Sequence, residues 1–155
     1  METNDELQKV KQNWDEHAQR WNQWIGDEGD ENRRESSDRY LWKFIDTLDN
    51  QVVLDAGCGN GYFSIKLVQE TRARRVLGVD LSSKLIELAR LNADRRLIDE
   101  DQKKRIDFRQ ESITELTSIE NESVDLIIAN YVLMDTPNLD QVVQVTILFS
   151  VDRTY

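Results

Sequence analysis

The chain has 155 residues, 39% of them apolar and 32% charged, with 30 acidic against 20 basic side chains and a formal net charge of -10. That length builds one compact domain with its own core, and the negative field repels phosphate backbones and anionic membrane surfaces, which argues against nucleic acid as a partner. Cys58 is the single cysteine and His17 the single histidine, so neither an internal disulfide nor a zinc site is expected.

The N-terminus begins with polar and acidic residues and has no hydrophobic signal core. No apolar run reaches the ~20 residues that span a bilayer, so no membrane partner and a cytoplasmic setting are expected. From Leu7 through Val10, Trp14, Ala18, Trp21 and Ile25, apolar residues recur at three- or four-residue steps, the stripe of an amphipathic helix. Trp14 and Trp21 are assigned to core packing and His17 to the helix surface. Gly26 to Asn32 sets two glycines among acids and reads as a loop. Tyr40, Leu41, Phe44, Ile45 and Leu48 restore helical spacing up to a stop at Asp49-Asn50.

The pattern then changes to short, uniformly apolar runs alternating with helical segments. Val52 to Leu54 and Val76 to Val79 read as strands buried on both faces of a parallel sheet. Tyr62 to Glu70 and Ser82 to about Asp94 read as the crossover helices of βαβ units, the second capped by Ser82. Ile106 to Arg109 is a third strand, and the longer run Val124 to Ala129 a fourth, placed at the centre of the sheet. Asp94 to Arg105 is a solvated helix end and turn, and Arg72, Arg74 and Arg75 form an ordinary solvated face. Leu139 to Gln144 is helical and runs directly into a strand-like segment, Val145 to Val151. A parallel crossover needs roughly a dozen or more residues, so the sheet is expected to be incomplete and the chain shortened. The expected organisation is a helical cap over residues 1–50 and an α/β core over 51–155, within one domain.

The segment Val52-Val53-Leu54-Asp55-Ala56-Gly57-Cys58-Gly59-Asn60-Gly61-Tyr62-Phe63 carries the chemistry. A strand empties into a three-glycine turn, where the backbone bends sharply and approaches a ligand with no Cβ between them. A second strand, Val76-Leu77-Gly78-Val79-Asp80, ends on an acid 25 positions after Asp55; such a carboxylate accepts both ribose hydroxyls of an adenosine. A dinucleotide fingerprint spaces its glycines G-x-G-x-x-G over a pyrophosphate, whereas this chain reads Asp55-x-Gly57-x-Gly59-x-Gly61. Asp55 repels a pyrophosphate and attracts the ammonium group of a methionine moiety, which favours S-adenosyl-L-methionine (SAM). Cys58 reads as a small residue filling a tight space.

These residues resemble motif I and the following acidic motif of class I SAM-dependent methyltransferases, especially the group that modifies small molecules. The resemblance runs from about Trp14 to Gln144. It implies a Rossmann-like, doubly wound, mainly parallel sheet with helices on both faces. It also implies that Asp55, Ala56 and the run Gly57, Cys58, Gly59, Gly61 hold the methionine part, that Asp80 binds the ribose and that Leu81 flanks the adenine. Glu111 would accept from the adenine amino group with the Ser112 backbone alongside, and Asn130 and Tyr131 would lie beside the transferred methyl. Trp21 to Arg34 resembles a leader that folds over the cofactor. Asn130 and Tyr131 equally suit the end of the fourth strand, and Glu111 an ordinary exposed acid.

SAM carries its own activation, so no protein nucleophile is required. The family's frequent histidine after Leu133 is replaced here by Met134 and Asp135; Asp135 and Tyr131 are the reachable bases, and no catalytic residue is assigned. The expected acceptor is a small molecule. Two rival readings remain: a SAM-binding module without turnover, and, less favoured, a nicotinamide-dependent dehydrogenase. An exposed sheet edge at Val145 to Val151 predicts self-association.

Overall fold

A computed structural model describes residues 2–45 and 48–149. Four parallel strands, β1 (Val52–Ala56), β2 (Arg75–Asp80), β3 (Ile106–Gln110) and β4 (Leu126–Ile128), lie in the order β3-β2-β1-β4. Alternation of side chains along β1 divides the core in two. Val53 packs with Val76, Ile65, Ile86 and Phe108 beneath α3 (Tyr62–Glu70) and α4 (Ser83–Arg96). Val52, Leu54 and Ala56 meet Val79, Leu116 and Val142 on the other face, under the 112–124 segment and α6 (Leu139–Phe149). The result is the doubly wound α/β arrangement expected of such strands.

Before the sheet come α1 (Glu2–Ile25), a π-helical turn (Arg33–Ser37) and α2 (Asp38–Phe44). The α1 helix packs along α4 and is fastened to it by side chains. Asp15 Oδ1 accepts from Ser82 Oγ at 2.6 Å and from the Lys84 backbone N–H at 3.1 Å. Asn22 Oδ1 accepts from Asn60 Nδ2 at 3.0 Å and from Asn92 Nδ2 at 2.9 Å. Asp27 and Arg95 form an ion pair. Ser82 caps α4 by accepting from Leu85 N–H at 3.1 Å, and Arg95 and Arg96 occupy the last turn, where cations complement the helix dipole. A short helix, α5 (Glu100–Lys104), lies fully on the surface within the solvated 94–105 segment. His17 is exposed, its Nδ1 2.8 Å from the Asn13 carbonyl.

Two expectations are corrected. Among the described residues the strand β4 lies at the edge of the sheet, paired with β1 alone, rather than at its centre. Apart from Asp125 its run is apolar, because Leu126 and Ile128 face one core layer and Val124 and Ile127 the other; burial on two faces is silent about lateral position. The segment from Val145 to Phe149 is the second half of α6 and not a strand. With no glycine or proline to stop it, the helix continues, and Val142 and Val145, three apart, both reach the same core layer. The predicted strand edge for self-association is therefore helical through residue 149, while Ser150 and Val151 lie outside the described residues. Among the described residues no helix is long and apolar enough to cross a membrane, and no cluster of His, Cys, Asp or Glu is placed to hold a metal ion.

Candidate cofactor site

At the carboxyl end of β1 the chain turns through Gly57 at φ +78° and Gly59 at φ +55°. The two glycines are required for different reasons. A Cβ on Gly57 would stand 2.4 Å from Val132 Cγ2, whereas one on Gly59 would meet only Trp21 Nε1, at 3.5 Å. Gly57 is thus closed in by the loop after β4, and Gly59 is not. The turn is tied to the next strand, with Gly57 N–H and Cys58 N–H both donating to Val79 O at 2.8 and 2.9 Å. Cys58 is buried, and burial raises its thiol pKa well above the usual value; it packs as a small side chain.

Two carboxylates flank this turn. Asp80, at the end of β2, accepts from Gly59 N–H through Oδ2 and from Ser82 N–H through Oδ1, each at 2.9 Å. Asp55, at the end of β1, accepts from Ser64 Oγ at 2.5 Å. Loss of hydration pushes both up to about 6, against the backbone and hydroxyl hydrogen bonds that favour their charged forms. Asp55 is buried and Asp80 half-buried, and both stand poised near neutral pH at the mouth of a parallel sheet, where ligands bind in this architecture.

The turn forms the floor of a cavity with an empty volume of about 890 Å³, open solvent at its mouth included. Asp55, Gly57, Cys58, Gly59, Asp80, Leu81, Ser112, Asn130 and Tyr131 line it together. Ala56, Gly61 and Glu111 do not. Ala56 points into the opposite core layer, and Gly61 starts α3, where a Cβ would press on Phe108 and Ala89. The Glu111 carboxylate is engaged by its own loop, accepting from Ser118 N–H at 2.6 Å, Ser118 Oγ at 2.7 Å and Thr117 Oγ1 at 2.8 Å.

The roof is the apolar stripe of α1. Leu7, Val10, Trp14 and Trp21 face the cavity, and the two indoles meet edge to face at 5.0 Å, so both tryptophans cover the site, and Trp21, as expected, also packs against the core. Three further residues were not legible from spacing. Arg33, only 8% exposed, is ion-paired to Asp30 at 3.1 Å and sits between the Trp21 and Tyr131 rings, 5.0 and 4.5 Å from their centroids. Asn60 is buried between Asn22 and the Gly26 carbonyl. Asp38 accepts from Tyr62 Oη at 3.0 Å. Each has partners far away in the sequence: Tyr131 for Arg33, Asn22 for Asn60, and Tyr62 for Asp38. The paired arginines of the 21–34 leader were the only local hint of a cation at the site.

The model of a methyltransferase domain matches residues 48–154. Among curated proteins, the chain is 31% identical over 98 residues to a ubiquinone biosynthesis O-methyltransferase of Hahella chejuensis, covering 61% of this chain and 38% of that protein. It is 41% identical over 63 residues to a tRNA U34 carboxymethyltransferase of Vibrio cholerae, covering 41% and 19%. The chain thus spans well under half the length of these relatives. Among solved structures, magnesium protoporphyrin IX methyltransferase of Synechocystis PCC 6803, with bound S-adenosylhomocysteine, superposes with a TM-score of 0.74 at 22% identity, over 94% of this chain and 68% of that one. The Haemonchus contortus phosphoethanolamine N-methyltransferase gives 0.71 at 23%, over 96% and 30%. At such identities the likeness establishes the fold.

Proposed function

The chain belongs to the methyltransferase-domain family, and from that premise we propose that its cavity binds SAM and delivers the methyl group to a small-molecule acceptor. The observation that carries this reading is the position of Asp80 beside Gly59, at the end of β2 and on the cavity wall. Each Asp80 oxygen accepts one backbone N–H, which leaves lone pairs on both for a ribose diol.

The remaining donors fit the other parts of the cofactor. Leu81 and Ile113 offer apolar walls to an adenine ring, and the backbone around Ser112 lies alongside. Asp55 attracts the ammonium group of the methionine moiety, and Arg33 supplies a cation for its carboxylate. The same Asp55 would repel a pyrophosphate, which disfavours the dehydrogenase reading. Glu111, with its carboxylate engaged elsewhere, has no part in this assignment.

When bound, SAM supplies an activated methyl group on its sulfonium. The chain's own residues then orient and exclude. The α1 stripe shields the cavity from water, and Asn130 and Tyr131 flank its end, Tyr131 held by Asn32 Nδ2 donating to its Oη at 3.1 Å. A second cleft between α1 and residues 133–137 shares Val10, Trp14, Asp135, Thr136 and Pro137 with the cavity. We assign it as the acceptor's path, with Asp135 at the junction as the group that takes the acceptor's proton. The cap of residues 1–50 acts in this scheme as the roof of a 51–155 core. A small acceptor suits the position of the basic strip: Arg75 begins β2, at the opposite end from Asp80, and pairs with Asp107, as Arg72 does with Asp49.

Isothermal titration with S-adenosylhomocysteine (SAH), the stable product, tests the reading. Saturable binding that weakens at least about tenfold in Asp80→Ala, with no response to NAD, is expected. A folded protein that binds NAD and not SAH would reverse it. SAH binding without methyl transfer to any acceptor would select the module without turnover.

A further inference from the structure

Asp38 is a buried carboxylate with half of its hydrogen-bonding capacity unused. The residue is 3% exposed at the start of α2. Its Oδ1 accepts from Tyr62 Oη at 3.0 Å, Ser37 Oγ at 3.4 Å and Asn130 Nδ2 at 3.5 Å. Its Oδ2 is buried and has no partner among the described residues. Among the described residues no cation pairs with it directly: Lys66 and Arg33 act on it at longer range, and each is ion-paired elsewhere, with Glu28 and with Asp30. A buried acid left in this state is costly, and such a group in a folded protein requires an explanation.

Its placement supplies one. Tyr62 and Asn130, two of the three donors on Oδ1, are walls of the cavity, one directly after the glycine turn and the other directly after β4. Asp55, on the floor, feels the Asp38 charge. The acid therefore stands behind the wall formed by Tyr62 and Asn130, with no cation in direct contact with it among the described residues, and a positive charge arriving in the cavity would be attracted to it.

We propose that Asp38 is the residue by which this site distinguishes SAM, whose sulfur is cationic, from SAH, whose sulfur is neutral. The inference rests on the cofactor reading above. SAM and SAH share adenine, ribose, ammonium and carboxylate groups, so contacts to those groups serve both alike. A negative charge behind the wall adds an attraction for the sulfonium that the neutral sulfur of SAH does not receive, through a poorly hydrated interior. Burial raises the Asp38 pKa, and the hydrogen bonds from Tyr62 and Ser37 together with the charges of Lys66 and Arg33 offset part of that rise.

The test is a pair of titrations, SAM and SAH, on the wild-type chain, on Asp38→Asn and on Asp38→Ser, with folding followed by circular dichroism. Asp38→Ser is smaller and neutral and keeps an acceptor near Tyr62, which guards against a packing defect peculiar to Asn. The wild-type chain is expected to prefer SAM, and both variants to lose about tenfold of that preference through weaker SAM binding, with SAH nearly unchanged. Equal weakening of both ligands would make Asp38 a structural residue and overturn the inference, as would a wild-type chain with no preference for SAM. If the wild-type chain binds neither ligand, the cofactor reading itself fails.

Discussion

Asp15 of α1 and Ser82, the N-cap residue of α4, share a hydrogen bond of 2.6 Å, and Ser82 N–H is donated in turn to Asp80. The roof of the cavity is thus connected to Asp80 through one serine. Burial would raise the Asp15 pKa, but hydrogen bonds from Lys11, Ser82 and Lys84 outweigh it and hold the group at about 2. A lowered pKa stabilises the fold above the unfolded value near 3.8, and that contribution is lost as pH falls through about 2. Asp15→Asn is expected to cost on the order of 2 kcal/mol at pH 7. Thermal melts of the two proteins should converge toward pH 2; a gap that persists there would show that charge is not the cause.

Asp55 and Asp80 have the opposite sign. Their pKa values are raised to about 6, so the folded chain holds more protons than the unfolded one between about 4 and 6. Their contribution to stability is full below the unfolded pKa and declines as pH rises through 6. SAH binding that needs ionised carboxylates releases protons in this range, so affinity should increase between pH 5 and pH 7.5. Titration in buffers of different ionisation enthalpy measures the protons released near pH 6; a flat affinity profile would contradict the assignment.

The glycine turn separates stability from binding. Gly57→Ala places a Cβ against Val132 at positive φ and should cost about 3 kcal/mol of stability. Gly59→Ala carries its Cβ only to ordinary van der Waals contact with Trp21 Nε1 and should cost only about 1 kcal/mol, while weakening SAH binding. Denaturant unfolding and SAH titration on the same pair give the comparison. Similar stability losses in the two would refute it.

Asn22→Ala removes the acceptor shared by Asn60 and Asn92. Each keeps one other partner, the Gly26 and Asn60 carbonyls, so a loss of about 1–2 kcal/mol is expected. Hydrogen exchange should rise across α1 before it rises in the sheet. Uniform exchange throughout would mean that the clasp does not hold the roof separately.

The elements that local spacing determines were legible. The α3 helix spans Tyr62–Glu70, as its periodicity predicts, and Ser82 caps α4. The glycine turn and the acid after β2 face one cavity. What local spacing cannot report is lateral position and distant partnership. The run at 124–129 shows burial on both faces, and an edge strand between two layers satisfies that as well as a central one. Val145 to Phe149 is rich in residues that favour strands, yet it continues a helix because nothing interrupts the turn before it and the core accepts Val142 and Val145 together. Arg33 and Asp38 became visible only when residues about a hundred positions away, Tyr131 and Asn130, came beside them.

Strand register gives the site a built-in ruler. Asp55 lies opposite Gly78, so Asp80 stands two residues farther out along the neighbouring strand, a step of about 7 Å. The offset between the two acids is written into backbone pairing between β1 and β2. Loops around the cavity can lengthen, and the roof can change its side chains to suit another acceptor, while the gauge for the cofactor stays put. A one-residue slip in that pairing would turn Asp80 to the opposite face, and no adjustment of the turn could bring it back.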